Sequence, residues 1–180
     1  MIILVLGPNG SGKSAYAERL AAQLSAPQSQ ARVYIATMIP CGEEGLARVE
    51  KHRQQRESMG FITIEEPFCV SEAMLGPDAV ALLEDVSNLL GNALFGGKSG
   101  GSEDGVFADI AAMCGKCASS VLVSISGLSV EREYNDETIE YIKTLDSLNE
   151  RLFYFADAAV EMRGGEPVVL KGCEPFLRGG

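Results

Sequence analysis

The chain has 180 residues, 46% of them apolar and 22% charged, with a formal net charge of −10 and a pI near 4.6. That length suits one domain around a single large core, and the composition excludes intrinsic disorder. So acidic a surface argues against nucleic acid or anionic membrane as partners, and no apolar run approaches the ~18 residues of a membrane span.

The N-terminal apolar run covers only five residues after Met1, too short and too little basic at its start for a signal peptide, so a cytoplasmic location is expected. Ile2 to Leu6 reads as a strand buried on both faces, followed by a glycine-rich turn and a helix from Lys13 to Leu24. Arg32 to Thr37 reads as a second buried strand, Glu43 to Glu57 as a charged helix, and Phe61 to Glu65 as an alternating strand. Ala79 to Leu83 is another apolar strand, ending at Glu84 and Asp85. Helices are expected over Leu89 to Phe95, Val106 to Cys117 and Asp136 to Ala156, with a strand at Ser120 to Ser124. Gly96 to Gly105 reads as an exposed, flexible loop within one domain spanning residues 1–180. Val160 to Met162 and Val168 to Leu170 flank Gly164-Gly165 as a hairpin. Strands alternating with helices predict an α/β fold, mainly parallel, with helices on both faces and an antiparallel C-terminal edge.

Gly7-Pro8-Asn9-Gly10-Ser11-Gly12-Lys13-Ser14 matches the phosphate-binding pattern G-x-x-x-x-G-K-[ST], with a strand before it and a helix after it. Glycines let backbone N–H groups turn toward phosphate oxygens, and the helix N-terminus adds partial positive charge. Lys13 is assigned to the β and γ phosphates of ATP or GTP and Ser14 to Mg²⁺. An acid at the end of another strand would complete the metal site. Glu84 is favoured for that role because it directly follows the apolar run, while Asp85 is the alternative or a helix N-cap.

The five cysteines, Cys41, Cys69, Cys114, Cys117 and Cys173, read as reduced thiols. Cys114-x-x-Cys117 lacks the second pair that a zinc site needs, so it reads as two thiols at a helix end. Phe61, Phe68, Phe95 and Phe107 read as core. His52 is the sole histidine and lies in Glu44-x-x-x-Arg48-x-x-x-His52-x-x-x-Arg56, a spacing that aligns these side chains on one helix face. Two arginines beside a histidine suit a phosphate, and their charge would keep the imidazole neutral and nucleophilic. A solvated charged helix is the plainer account of the same pattern.

Taken together, MIILVLGPNGSGKSAYAE, YIAT at Tyr34 to Thr37, the Arg48/His52/Arg56 element, Thr63-Ile-Glu65-Glu-Pro and LLED at Leu82 to Asp85 resemble a known family. Weaker likeness continues through Val121-Leu-Val-Ser124, Leu148-Asn149-Glu-Arg151-Leu and Val168-Val-Leu-Lys-Gly172. The family is the bifunctional adenosylcobinamide kinase / adenosylcobinamide-phosphate guanylyltransferase of cobalamin biosynthesis. The resemblance implies a P-loop NTPase fold with a RecA-like sheet, assembled as a homotrimer. It implies γ-phosphoryl transfer to the aminopropanol hydroxyl of adenosylcobinamide, then GMP transfer from GTP through a covalent guanylyl-histidine at His52. Lys13 would act with His52 in catalysis, while Arg48, Arg56, Glu65 and Glu84 would join the loop in holding the nucleotide.

The chain also departs from the family. Gly10 stands where an arginine is common, and Ile125-Ser126-Gly127 follows the late strand in place of an Asn-Glu pair. Two other functions therefore stand beside the first: a P-loop kinase of another small metabolite, and a catalytically impaired nucleotide-binding paralogue.

Overall fold

Ile2–Gly7 (IILVLG) carries no polar side chain, and it forms β1, an interior strand buried on both faces. In this computed structural model the described residues are 1–26, 30–40, 42, 50, 53–54, 56–96, 101–129, 134–172 and 177. The chain then runs through α1 (Lys13–Ser25), β2 (Arg32–Ala36), β3 (Phe61–Glu65) and β4 (Val80–Glu84). It continues through α2 (Val86–Phe95), α3 (Glu103–Cys114), β5 (Ser119–Ile125), α4 (Asp136–Phe155), β6 (Ala158–Arg163) and β7 (Glu166–Lys171).

These strands form one seven-stranded sheet in the order β3-β2-β4-β5-β1-β6-β7. Every pairing is parallel except β6 with β7, so the antiparallel C-terminal edge is present as expected. Gly164 and Gly165, at φ 58° and 88°, make its turn in a region that side-chain-bearing residues rarely enter.

The period of two along each strand divides the core. Leu4, Leu6, Val33, Ile35, Leu83 and Leu122 face α2, α3 and α4 and pack on Leu90, Ile110, Met113, Leu145 and Leu148. Ile3, Val5, Tyr34, Val80, Leu82 and Val123 face the other way, onto Tyr16, Ala17 and Leu20 of α1 and onto Leu177. Each fully buried leucine contributes roughly 2 kcal/mol of apolar burial. Helices therefore cover both faces: α2, α3 and α4 lie on one and α1 on the other, where Arg56, among the helical residues before β3, also stacks on Tyr34.

Several expectations shift. Helix α2 starts at Val86, ahead of the expected Leu89, because the Asp85 side chain accepts the Asn88 N–H and caps it. Helix α3 starts at Glu103, because Ser102 accepts the Gly105 N–H. The expected loop over Gly96 to Gly105 is thus helical in its last residues, and 97–100 lie outside the described set. α3 ends at Cys114, which leaves Cys117 in the turn before β5. Phe61 is buried, whereas Phe95 is 57% exposed and so is not core. Of the helix expected over Glu43 to Glu57, residues Glu50, Arg53, Gln54, Arg56 and Glu57 are described, and all are helical. Among the described residues, no helix is long and apolar enough to cross a membrane.

Candidate nucleotide and acceptor site

β1 delivers Gly7 to the C-terminal edge of the sheet, where the chain turns through Pro8 to Gly12 and enters α1. A Cβ at Gly7 would lie 2.6 Å from Ser11 Oγ and 3.1 Å from Met162 Cβ, so the loop needs glycine to pack against β6. Gly12 sits in the left-handed region, at φ 85°, as the N-cap residue of α1. From there the first amide groups of α1 face outward at the positive end of the helix, an anion cradle by construction. Lys13 is 7% exposed, and its Nζ donates to the Pro8 carbonyl at 3.3 Å.

Ser14, one residue on, donates from Oγ to Glu84 Oε1 at 2.5 Å. Glu84 reaches it because it ends β4 on the same face as Val80 and Leu82, the face that α1 covers. Its other oxygen, Oε2, is buried with no hydrogen-bond partner among the described residues. Burial pushes the Glu84 carboxyl up to about 7, against the pull of the Ser14 hydrogen bond and the Lys13 charge. Asp85 has a different task. Besides capping α2, its backbone N–H donates to Thr37 Oγ1 at 2.7 Å and its carbonyl accepts from that hydroxyl at 2.8 Å. The Glu84–Asp85 peptide is cis.

A cavity of about 270 Å³ opens beside this pair, at the C-terminal ends of β2, β3 and β4, and Ser14, Glu18, Tyr34, Arg56, Glu65 and Glu84 line it. Arg56 is 8% exposed, with its guanidinium 3.8 Å from the centre of the Tyr34 ring. Its Nε has no hydrogen-bond partner among the described residues. Burial raises the Tyr34 hydroxyl above its ordinary range, so this side chain stays protonated at neutral pH. Burial also raises the Glu18 carboxyl, while Arg56 lowers it.

Of the residues singled out in the sequence, Gly7 to Ser14 form the loop, and Ser14, Arg56, Glu65 and Glu84 meet at the cavity. Arg48 and His52 lie outside the described residues. Glu18, not singled out in the sequence, also lines the cavity, one helical turn beyond Ser14 on the same face of α1.

The Ser14 hydroxyl oxygen and the Glu84 carboxylate, whose buried Oε2 has no hydrogen-bond partner among the described residues, fit a hard divalent cation such as Mg²⁺. Among the described residues no group of three His, Cys, Asp or Glu is placed to hold a metal unaided. The remaining ligands would therefore be phosphate oxygens and water, as Mg²⁺ prefers. Cys69, Cys114 and Cys117 are free thiols, and burial holds the Cys114 thiol up at about 11, far from reactive.

Among solved structures, the ATPase domain of G40P superposes with a TM-score of 0.55 at 12% identity, covering 94% of this chain and 76% of that one. The flagellar accessory protein FlaH from Methanocaldococcus jannaschii gives a TM-score of 0.47 at 14% identity, covering 94% and 77%. The first of these places the sheet among P-loop NTPases as a fold. No curated protein matches the chain. The family model described as cobinamide kinase / cobinamide phosphate guanyltransferase matches residues 3–170, nearly the whole sequence, and the chain belongs to that family of cobalamin biosynthesis.

Proposed function

We propose that this protein transfers the γ-phosphoryl group of ATP or GTP to the aminopropanol hydroxyl of adenosylcobinamide. It then transfers GMP from GTP to the resulting phosphate, with His52 carrying GMP between the two. The observation that carries the kinase half is the contact of Ser14 with Glu84 next to Lys13, at the edge of a cavity able to hold an acceptor. Lys13 and the α1 amides would hold the phosphates, and Ser14 and Glu84 would hold Mg²⁺, which neutralises phosphate charge when bound. Glu84 would stay ionised there, since a cation reverses the effect of burial.

Support for the guanylyl half is the spacing of Arg48, His52 and Arg56. An imidazole that attacks the α-phosphorus of GTP forms a P–N bond and expels pyrophosphate. The acceptor phosphate then displaces His52 and takes GMP. Intact-protein mass spectrometry after incubation with GTP and Mg²⁺ tests this. The expected result is one GMP mass on wild type and none on His52→Asn, with kinase activity within about threefold of wild type in the variant. Equal loss of both activities in folded His52→Asn would refute the division of labour.

One observation favours a second reading, that of an impaired nucleotide-binding paralogue. β5 runs between the loop strand and the acid strand, yet Ser126 at its end donates to Glu161 at 3.3 Å where a carboxamide-acid pair is usual in the family. Tight GTP binding without any adduct or phosphoryl transfer would select it.

A further inference from the structure

Two thiols take no part in the chemistry proposed above. Cys114 is the last residue of α3, and Cys117 lies in the turn that leads into β5. The phosphate loop follows the C-terminal end of β1, and β5 runs parallel to that strand, so the turn before β5 sits at the opposite edge of the sheet. A reaction of this pair is therefore independent of the nucleotide site and of the function proposed for it.

Local geometry brings the two side chains together. Gly115 and Lys116 turn the chain between them, with the Lys116 N–H donating to the Met113 carbonyl at 3.0 Å. A turn of this kind holds its flanking Cα atoms within ~7 Å, which is also the span that a disulfide bridges. Cys117 Sγ lies 3.1 Å from Ser120 Oγ, and the Cys114 thiol hydrogen-bonds to the same hydroxyl. Ser120 is itself buried at the start of β5, so one fixed hydroxyl gathers both sulfurs. Lys116 donates from Nζ to the Ser71 carbonyl, which ties the turn to the neighbouring connection as well as to α3. Joining the sulfurs then needs side-chain rotation about an anchored turn.

The two thiols differ in access. Cys114 is 7% exposed, and burial raises its thiol to about 11, against the pull of the Ser120 hydrogen bond. Little of it is thiolate at neutral pH, and no reagent reaches it easily. Cys117 is only half-buried, so an incoming molecule meets it first.

We propose that Cys114 and Cys117 form a redox-active dithiol, which a small disulfide such as oxidised glutathione converts to an intramolecular disulfide. The Cys117 thiolate attacks one sulfur of the small disulfide, forming a mixed disulfide and releasing one thiolate. Cys114 then loses its proton to solvent and attacks Cys117 Sγ. The bond between Cys117 and the small thiol breaks, and a second thiolate leaves. The protein gives up two electrons and the small disulfide takes them, becoming two thiols. Proximity on one turn favours the second step, and a thiolate of high pKa is intrinsically a strong nucleophile.

The test equilibrates reduced wild type, Cys114→Ser and Cys117→Ser with oxidised glutathione, quenches in acid, alkylates the denatured chains and maps the peptides by mass. Far-UV circular dichroism first shows that the variants fold. In wild type, the peptide holding Cys114 and Cys117 should escape alkylation and weigh two hydrogens less than the reduced form, and dithiothreitol should reverse this. Cys114→Ser should stop at the mixed disulfide, with at least about tenfold more glutathione on Cys117 than wild type retains. In Cys117→Ser, Cys114 should react at least about tenfold more slowly than wild type closes. The proposal is overturned if both wild-type thiols remain open to alkylation, or if wild type keeps as much glutathione on Cys117 as Cys114→Ser does. Pairing of Cys117 with Cys41, Cys69 or Cys173 instead of Cys114 also overturns it. None of these outcomes bears on the kinase reading.

Discussion

Glu84 couples the chemistry of the site to the stability of the fold. With no cation beside it, its carboxyl is held near 7 by burial, with Asp85 and Glu18 adding negative charge and Ser14 and Lys13 opposing them. The unfolded chain would release that proton near 4.5, so the folded state binds it more tightly. The stability this confers is complete below pH 4.5 and disappears as pH rises through 7. In nucleotide-free protein with chelator, Glu84→Gln should therefore gain about 2 kcal/mol on wild type between pH 4.5 and 7.5, by urea unfolding, at ~1.4 kcal/mol per pH unit less some relaxation. A constant difference across that range would mean that Glu84 is ionised throughout. The same variant should lose nucleotide-dependent transfer. Glu84 was singled out because it directly follows the apolar run, and the structure adds that it continues the α1-facing set of Val80 and Leu82 while Asp85 caps a helix. The spacing of four that puts Glu18 on the Ser14 face of α1 is visible in the sequence, but its neighbours in the cavity come from β2, β4 and the segment bearing Arg56, which only folding assembles.

At the scale of elements, side-chain caps decide where helices begin, and at Asp85 and Ser102 they explain the starts that hydrophobic period alone misplaces, while the helix after Asn135 starts at Asp136 as expected. Asp85, Ser102 and Asn135 each accept an N–H three residues on. Ser102 was hidden inside a run of glycines and serines, where composition suggests loop and the cap is invisible until Glu103 and Asp104 are seen as a first helical turn. A further link of this kind joins α3 to the connection before β4. Asp109 Oδ2 accepts the Val70 N–H at 2.7 Å, and Oδ1 accepts the Ser71 N–H at 3.0 Å and the Cys69 thiol at 3.4 Å. The carboxylate thus holds the short helical turn Val70–Glu72 against α3, and Val70 is fully buried. Asp109→Ala would leave both amides without that partner and should cost about 2 kcal/mol in a urea melt. Asp109→Asn, which keeps one carbonyl acceptor, should cost about half as much. Equal losses for the two would show that negative charge, and not hydrogen bonding, is what the turn requires.

For the whole molecule, the sequence announces alternating strands and helices but not the order in which the strands lie side by side. Only the order β3-β2-β4-β5-β1-β6-β7 brings Ser14 to Glu84 across 70 positions of sequence. The C-terminal stretch was equally silent, since GCEPFLRGG carries no period that marks it as core. Yet Leu177 is fully buried in the cluster on the α1 face, and the Tyr16 hydroxyl donates to its carbonyl at 2.6 Å. This residue adds apolar cover to that face beside α1. Leu177→Ala should cost about 2–4 kcal/mol, as for other fully buried leucines. Tyr16→Phe, which removes only the hydrogen bond, should cost about 1 kcal/mol. The two effects act through one residue: once Leu177→Ala loosens its seat, the Tyr16 hydroxyl has no carbonyl to lose. The double variant should therefore be less destabilised than the sum of the singles by about 1 kcal/mol in urea unfolding. Strict additivity would mean that residue 177 keeps its carbonyl on the Tyr16 hydroxyl when the leucine side chain is gone.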